Sequence, residues 1–190
     1  RHISMLKKHG YDVCVINMDK NEQDIDSKWG KVYVIKKHKM KVSGHVDTMV
    51  ASLWATLDYV KKCSNVSHRM YLVQNFETDF ASFGQYMRIE ANATYEDVTG
   101  VKYLTISKWC ENWLKDRFEK EVTYAPNGID LEQFPFKERE FKGKIKILIE
   151  GNSDDYYKNV DESFKIVERI DKEKYEIQFL SYQGEPKKWY

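Results

Sequence analysis

The chain has 190 residues, 42% hydrophobic and 14% aromatic, enough to bury one sizeable core or two small ones and too apolar for intrinsic disorder. Its 31 basic and 30 acidic residues leave a formal net charge of +1, which excludes the broad positive field of a nucleic-acid-binding protein. Cys14, Cys63 and Cys110 are far apart and odd in number, fitting neither a disulfide framework nor a paired metal site and pointing to a reducing, cytoplasmic setting.

Taken in order, Ile3 and Leu6 followed by Gly10 predict a helix closing on a left-handed glycine. Val13, Val15 and Ile16 in residues 11–17 leave little room for a solvated face, so a buried parallel strand is expected there. A polar connection over 17–27 leads to a strand at Lys31–Ile35, bounded by Gly30 and a basic tail, Lys36 to Lys39. That tail reads as a solvated strand end, or as a contact with an anionic acceptor or the membrane surface.

Apolar residues at Val46, Met49, Val50, Leu53, Trp54, Leu57 and Val60 predict one long helix over 46–63, with Asp47 near its positive end and His45 just before it as a surface or capping residue. Residues 70–76 predict a strand that delivers Gln74, Asn75 and Glu77 to its carboxyl end, the edge at which open α/β sheets bind ligands. Glu77 is either a cap for the next helix or a group that orients an acceptor hydroxyl. A helix or broken helix, weakened by Gly84, is expected over 81–97. The sequons Asn65-Val-Ser67 and Asn92-Ala-Thr94 read as chance occurrences.

Tyr103 to Ile106 predicts a short strand, Ser107 a cap for an amphipathic helix through Leu114, and Val122 to Ala125 a second strand ended by an Asn127-Gly128 turn. A charged stretch without apolar period then reads as a linker over 135–144, separating a domain of residues 1–134 from the start of another at 145–190. In the second part a strand at Ile145–Ile149, a polar loop from Gly151 and a helix over 160–170 lead to a strand at Tyr175–Leu180, a β-α-β unit. The packed face expected of that helix is Val160, Phe164, Ile166, Val167 and Ile170. The fold class is thus α/β, a Rossmann-like parallel-sheet domain followed by the start of a second.

Ile106-Ser107, the helix after it with its aromatic and Leu anchors, then Pro126-Asn127-Gly128-Ile129-Asp130 with Phe134, resemble the end of the first domain in GT-B fold glycosyltransferases of the family 4 type. The stretch Tyr71-Leu-Val-Gln-Asn-Phe-Glu77 is similar to the subset that transfers rhamnose and related sugars in surface polysaccharide synthesis. The resemblance implies a retaining, metal-independent hexosyltransferase without a cofactor. Its donor would be a UDP-, GDP- or dTDP-sugar, and its acceptor a saccharide or lipid-linked glycan. It implies acceptor contacts from Gln74, Asn75 and Glu77 on the first domain, and nucleotide-sugar contacts from Gly151, Asn152 and Lys158 on the second. It also implies an interdomain turn at Asn127 and Gly128, and a cytoplasmic setting at the inner face of the membrane.

Two departures from the family pattern are visible: Phe76 stands where a His beside the reacting carbon is usual, and Asn152 where an Arg is usual. The family's first strand with its Gly-rich loop, and the acidic pair late in its second domain, have no counterpart, so the chain reads as part of a transferase. A non-catalytic binding or scaffold protein on the same fold would explain both departures. A dinucleotide-dependent oxidoreductase is disfavoured because no Gly-x-Gly-x-x-Gly follows a strand.

Overall fold

The computed structural model describes residues 2–17, 33–36, 44–96, 98–138, 140 and 142–181. The polar connection expected after Asn17, the basic residues after Lys36 and the last nine residues lie outside this set. The chain divides into two compact units, 1–126 and 127–190.

In the first unit, α1 (His2–Lys8) ends at Gly10, whose φ of 83° gives the expected left-handed closure. It leads to β1 (Cys14–Asn17), which pairs in parallel with β2 (Tyr33–Lys36), Cys14 opposite Tyr33. A second sheet holds β3 (Val46–Ala51), β4 (Val66–Val73), β5 (Val101–Thr105) and β6 (Val122–Tyr124) in that spatial order, every pair parallel. Parallel neighbours require crossovers, and α2 (Trp54–Lys62), α3 (Tyr86–Ala93) and α4 (Lys108–Phe118) supply them. A short 3-10 helix, Glu77–Phe80, precedes α3.

The register aligns Ala51, Tyr71, Tyr103 and Val122 in one row across the four strands. This row, with Met49 and Val73, meets Leu57 and Val60 of α2 and Cys110, Trp113 and Leu114 of α4 in a single core. Burying that many aromatic and aliphatic side chains, at about 1.5–3 kcal/mol each, is the main term holding the unit together. The opposite face carries half-buried Leu72 and Leu104 and exposed Val50. Two caps fix the ends of helices: Ser107 accepts from the Cys110 N–H at 3.1 Å, as its position predicts, and Arg69 from β4 donates to the carbonyl of Val60 in the last turn of α2 and to those of Cys63 and Val66 after it.

The long helix expected over 46–63 is a strand followed by a shorter helix. Met49 and Ala51 enter the core while Val50 between them points away, Asp47 stays exposed near the start of the strand, and β4 offers a parallel partner along the stretch. Asp47 therefore belongs to a strand, where it is exposed and lies 3.4 Å from His45, itself bonded to Ser67 at 2.9 Å. The strand expected over 70–76 begins earlier, at Val66, and the helix expected over 81–97 is confined to α3, with Gly84 before it at a φ of 84°.

In the second unit, β7 (Ile145–Glu150) pairs in parallel with β8 (Tyr175–Leu180), joined through α5 (Val160–Val167). Ile149, Val160 and Phe164 form its small core, with Val167, Ile177 and Phe179 packed around them. Ile166, expected in the packed face, is exposed, because two residues on from Phe164 it falls on the far side of the helix from the stripe of Val160, Phe164 and Val167. The three cysteines carry no disulfide.

Candidate functional site

Parallel strands bring their carboxyl ends to one edge, so the connections after β3, β4 and β5 gather there. Gln74 donates from Nε2 to the Ser52 carbonyl at 3.2 Å, tying the loop after β4 to the loop after β3. Asn75 is exposed and accepts from the Phe76 N–H through Oδ1 at 2.9 Å, closing a local turn. Phe76 packs inward, with its ring centroid 5.2 Å from that of Trp113 and 5.8 Å from that of Tyr95.

Glu77 is only 2% exposed. Its Oε2 accepts from the Trp54 N–H at 2.6 Å and from the Tyr71 hydroxyl at 2.7 Å, while its own N–H donates to the Tyr95 hydroxyl at 3.0 Å. The carboxylate thus caps α2, the helix before it in the chain, at the end where the helix dipole favours negative charge. Burial raises its pKa above the usual carboxylate range, and the two donors pull in the opposite direction. Tyr71, whose hydroxyl is pushed far above its ordinary pKa by burial, stays a neutral donor.

Tyr71 and Tyr95 are the residues that sequence reasoning missed. For Tyr71 the available signal was a Tyr within a strand destined for the core, since a buried phenol needs a partner and a carboxylate six residues on can supply one; Tyr95 follows α3, and no local signal joins it to an N–H 18 residues away.

The helix N-termini at this edge are already occupied by the chain's own side chains. Glu77 takes the Trp54 N–H and the Thr56 hydroxyl takes the N–H groups of Ser52 and Leu53, while Ser107 serves α4. Lys108, at the start of α4, lies 4.2 Å from the Tyr124 ring centroid and bonds Glu111 at 2.6 Å. The edge thus presents the amides of Gln74 and Asn75 beside the charged Lys108, with several of its helix N–H groups already met by the chain's own side chains.

The second unit brings Gly151, Asn152 and Lys158 into one loop between β7 and α5. A Cβ on Gly151 would stand 2.8 Å from Val160 Cγ2, so this glycine permits a close approach of the loop to α5. Asn152 is buried and spends its side chain within the loop, accepting from the Asp154 N–H and donating to the Asp155 carboxylate, each at 3.1 Å. Lys158 is exposed, with its ammonium 6.0 Å from the Tyr157 ring centroid. Asp154, Asp155, Asp161 and Glu162 surround it in sequence, so the loop is acidic around one lysine.

Asn127 and Gly128 lie in exposed, irregular chain outside any turn and without positive φ. The turn falls further on, because the Asp130 carboxylate accepts from the N–H groups of Glu132 and Gln133 at 3.0 and 3.3 Å.

These features define an α/β protein whose first unit is a Rossmann-like parallel sheet with a polar carboxyl edge. No protein-family model matches the chain, and no significant match is found among curated proteins or solved structures. Among the described residues, no group of three or more His, Cys, Asp or Glu side chains could hold a metal ion, and no helix is long and apolar enough to cross a membrane.

Proposed function

We propose that the chain is part of a GT-B type glycosyltransferase, moving a hexose from a nucleotide diphosphate sugar to a saccharide or lipid-linked glycan at the cytoplasmic face of a membrane. The observation that carries the reading is the succession of two parallel α/β units, the first with a polar carboxyl edge and the second with a glycine-led loop entering a helix. The resemblance of residues 103–134 and 145–158 to that family supports the same assignment. In this reading the first unit binds the acceptor through Gln74 and Asn75. The second holds the diphosphate with Lys158 and the backbone N–H groups after Gly151. Glu77 serves the acceptor by fixing the loop that carries Gln74 and Asn75 against α2.

Calorimetry of the full chain against UDP-, GDP- and dTDP-sugars tests the donor half. Lys158→Ala is expected to weaken binding of the preferred donor by roughly ten- to a hundred-fold, the range for hydrogen bonds to charged groups. Unchanged affinity, or no binding of any nucleotide sugar, would overturn it.

A non-catalytic binding protein on the same fold is the second reading, favoured by the inward-bonded Asn152, the acidic residues around Lys158 and the capping role of Glu77. It predicts saccharide binding with no transfer from any donor.

A further inference from the structure

In the core of the first unit, oxidisable aromatic rings form an unbroken file from solvent to a buried carboxylate. Trp109, in the first turn of α4 at the carboxyl edge, is 60% exposed. One turn on, the Trp113 ring lies 6.0 Å from it between centroids. Tyr95 stands 5.0 Å beyond Trp113, and Tyr71 6.2 Å beyond Tyr95 with the two phenol rings within 4° of parallel. The Tyr71 hydroxyl ends the file, donating to Oε2 of Glu77 at 2.7 Å.

Aromatic packing is ordinary in a core. Three features here go beyond it. The outer ring is an indole open to solvent, and the side chains that flank Trp113 off the file, Phe76 and Phe118, are far harder to oxidise than indole or phenol. A positive hole that enters at Trp109 therefore has the Trp and Tyr rings to occupy. Second, Nε1 of Trp113 is buried and has no hydrogen-bond partner among the described residues. An oxidised indole is trapped when it loses its N–H proton, and with no acceptor beside it the proton stays and the hole moves on. Third, an oxidised phenol is so strong an acid that it settles only where a base stands within hydrogen-bond reach, as Glu77 does for Tyr71. The Tyr95 hydroxyl is bonded instead by the Glu77 N–H, which takes no proton. Burial raises the Glu77 pKa and so makes its carboxylate a stronger base.

We infer that Trp109, Trp113, Tyr95 and Tyr71 form a one-electron relay from the carboxyl edge to a radical site at Tyr71, with Glu77 as its proton acceptor. The reaction partner is a small oxidising radical that meets Trp109 from solvent. It takes one electron from the Trp109 indole, electrons step outward from Trp113 and across the Tyr95 ring, and Tyr71 supplies the last of them. The Tyr71 O–H bond breaks and its proton goes to Oε2 of Glu77. Oxidant, phenol and carboxylate thereby become reduced oxidant, neutral phenoxyl radical and carboxylic acid. The relay stands on the core geometry alone and is independent of the transferase reading.

The test is pulse radiolysis of the full chain with the azide radical, a one-electron oxidant of exposed indoles, followed by optical absorption and by electron paramagnetic resonance after freezing. Tryptophanyl absorption is expected to decay into tyrosyl absorption in a first-order step whose rate does not change with protein concentration. Part of the tyrosyl signal should outlive the radicals of surface tyrosines, because Tyr71 is buried. Tyr71→Phe should remove that long-lived part, and Trp109→Phe, at an exposed position, should lower its yield. Glu77→Gln keeps an acceptor oxygen but removes the base, so the conversion should slow by about ten-fold or more and lose the slowing in D2O that the wild type shows. Near-ultraviolet dichroism of the aromatic cluster checks that each variant is folded. Should Tyr71→Phe fail to fold, Trp109→Phe and Glu77→Gln still decide. A conversion that speeds up with protein concentration, a radical trapped on Cys110, or a long-lived tyrosyl unchanged in any folded variant of the three would overturn the assignment.

Discussion

Glu77 sits where three demands meet: the first N–H of α2, the hydroxyl of Tyr71 and a core that excludes water. The two donors and the helix dipole favour the anion, while burial disfavours it more strongly and raises the folded-state pKa above 4.5. A raised carboxylate pKa means that the folded protein binds the proton more tightly than the unfolded chain. Its contribution to stability is therefore fully present in acid below the unfolded value and is lost as pH rises through the folded value. Gln keeps the acceptor oxygen and removes the titration. Thermal melts of wild type and Glu77→Gln should accordingly show the wild-type advantage shrinking from pH 4.5 upward. An advantage that grows with pH would mean that the donors outweigh burial and the site holds a stable anion. Glu77→Ala, which strands the buried Tyr71 hydroxyl and uncaps α2, is expected to cost about 2–4 kcal/mol in denaturant unfolding.

At the scale of elements, β3 shows how one apolar pattern serves two periods. Val46, Met49, Val50 and Leu53 fall at helical spacing, yet Met49 and Ala51 also fall at strand spacing, and six residues are too few for either period to exclude the other. Pairing with β4 decided the outcome, since the strand gains backbone hydrogen bonds along its length and places Ala51 in the row with Tyr71 and Tyr103. Helical and extended conformations make opposite demands on neighbours. A helix would bury Met49 and Val50 together, whereas here Met49 is 7% and Val50 48% exposed. Met49→Ala is thus expected to cost about 2–4 kcal/mol and Val50→Thr less than about 0.5 kcal/mol in urea unfolding. Equal costs at the two positions would contradict the strand. α4 is the opposite case: the Ser107 cap and the anchors Trp113 and Leu114 give one answer and the helix forms there, although it runs past Leu114 to Phe118 and closes on a left-handed Glu119 that no local preference of Glu supplies.

At the scale of the molecule, the two units differ in how much they bury. Among the described residues, the first has a core cluster of thirteen buried residues, five of them from α2 and α4, and the second a cluster of three. Conformational entropy grows with every ordered residue while the hydrophobic term grows only with buried area, so a small unit lies nearer the threshold. Expressed separately, residues 1–126 should melt cooperatively with a near-ultraviolet dichroism signal from the packed aromatic cluster, and 127–190 should show no cooperative transition. A cooperative melt of the isolated second unit would show that its three-residue core suffices.

The sequence by itself determined the α/β class, the chain positions of β1, β5, α4, β6, β7 and β8, the Ser107 cap and the closing glycine of α1. Each of these rests on signals that lie within a few residues of one another. Tertiary structure alone decided that 46–51 is a strand, that Glu77 reaches back 23 residues to Trp54, and that Tyr71 and Tyr95 hold it there. It also decided that Asn152 turns into its own loop. Those outcomes depend on which strands become neighbours and which polar groups lose water together. Such contacts join residues distant in the chain, and no local propensity encodes them.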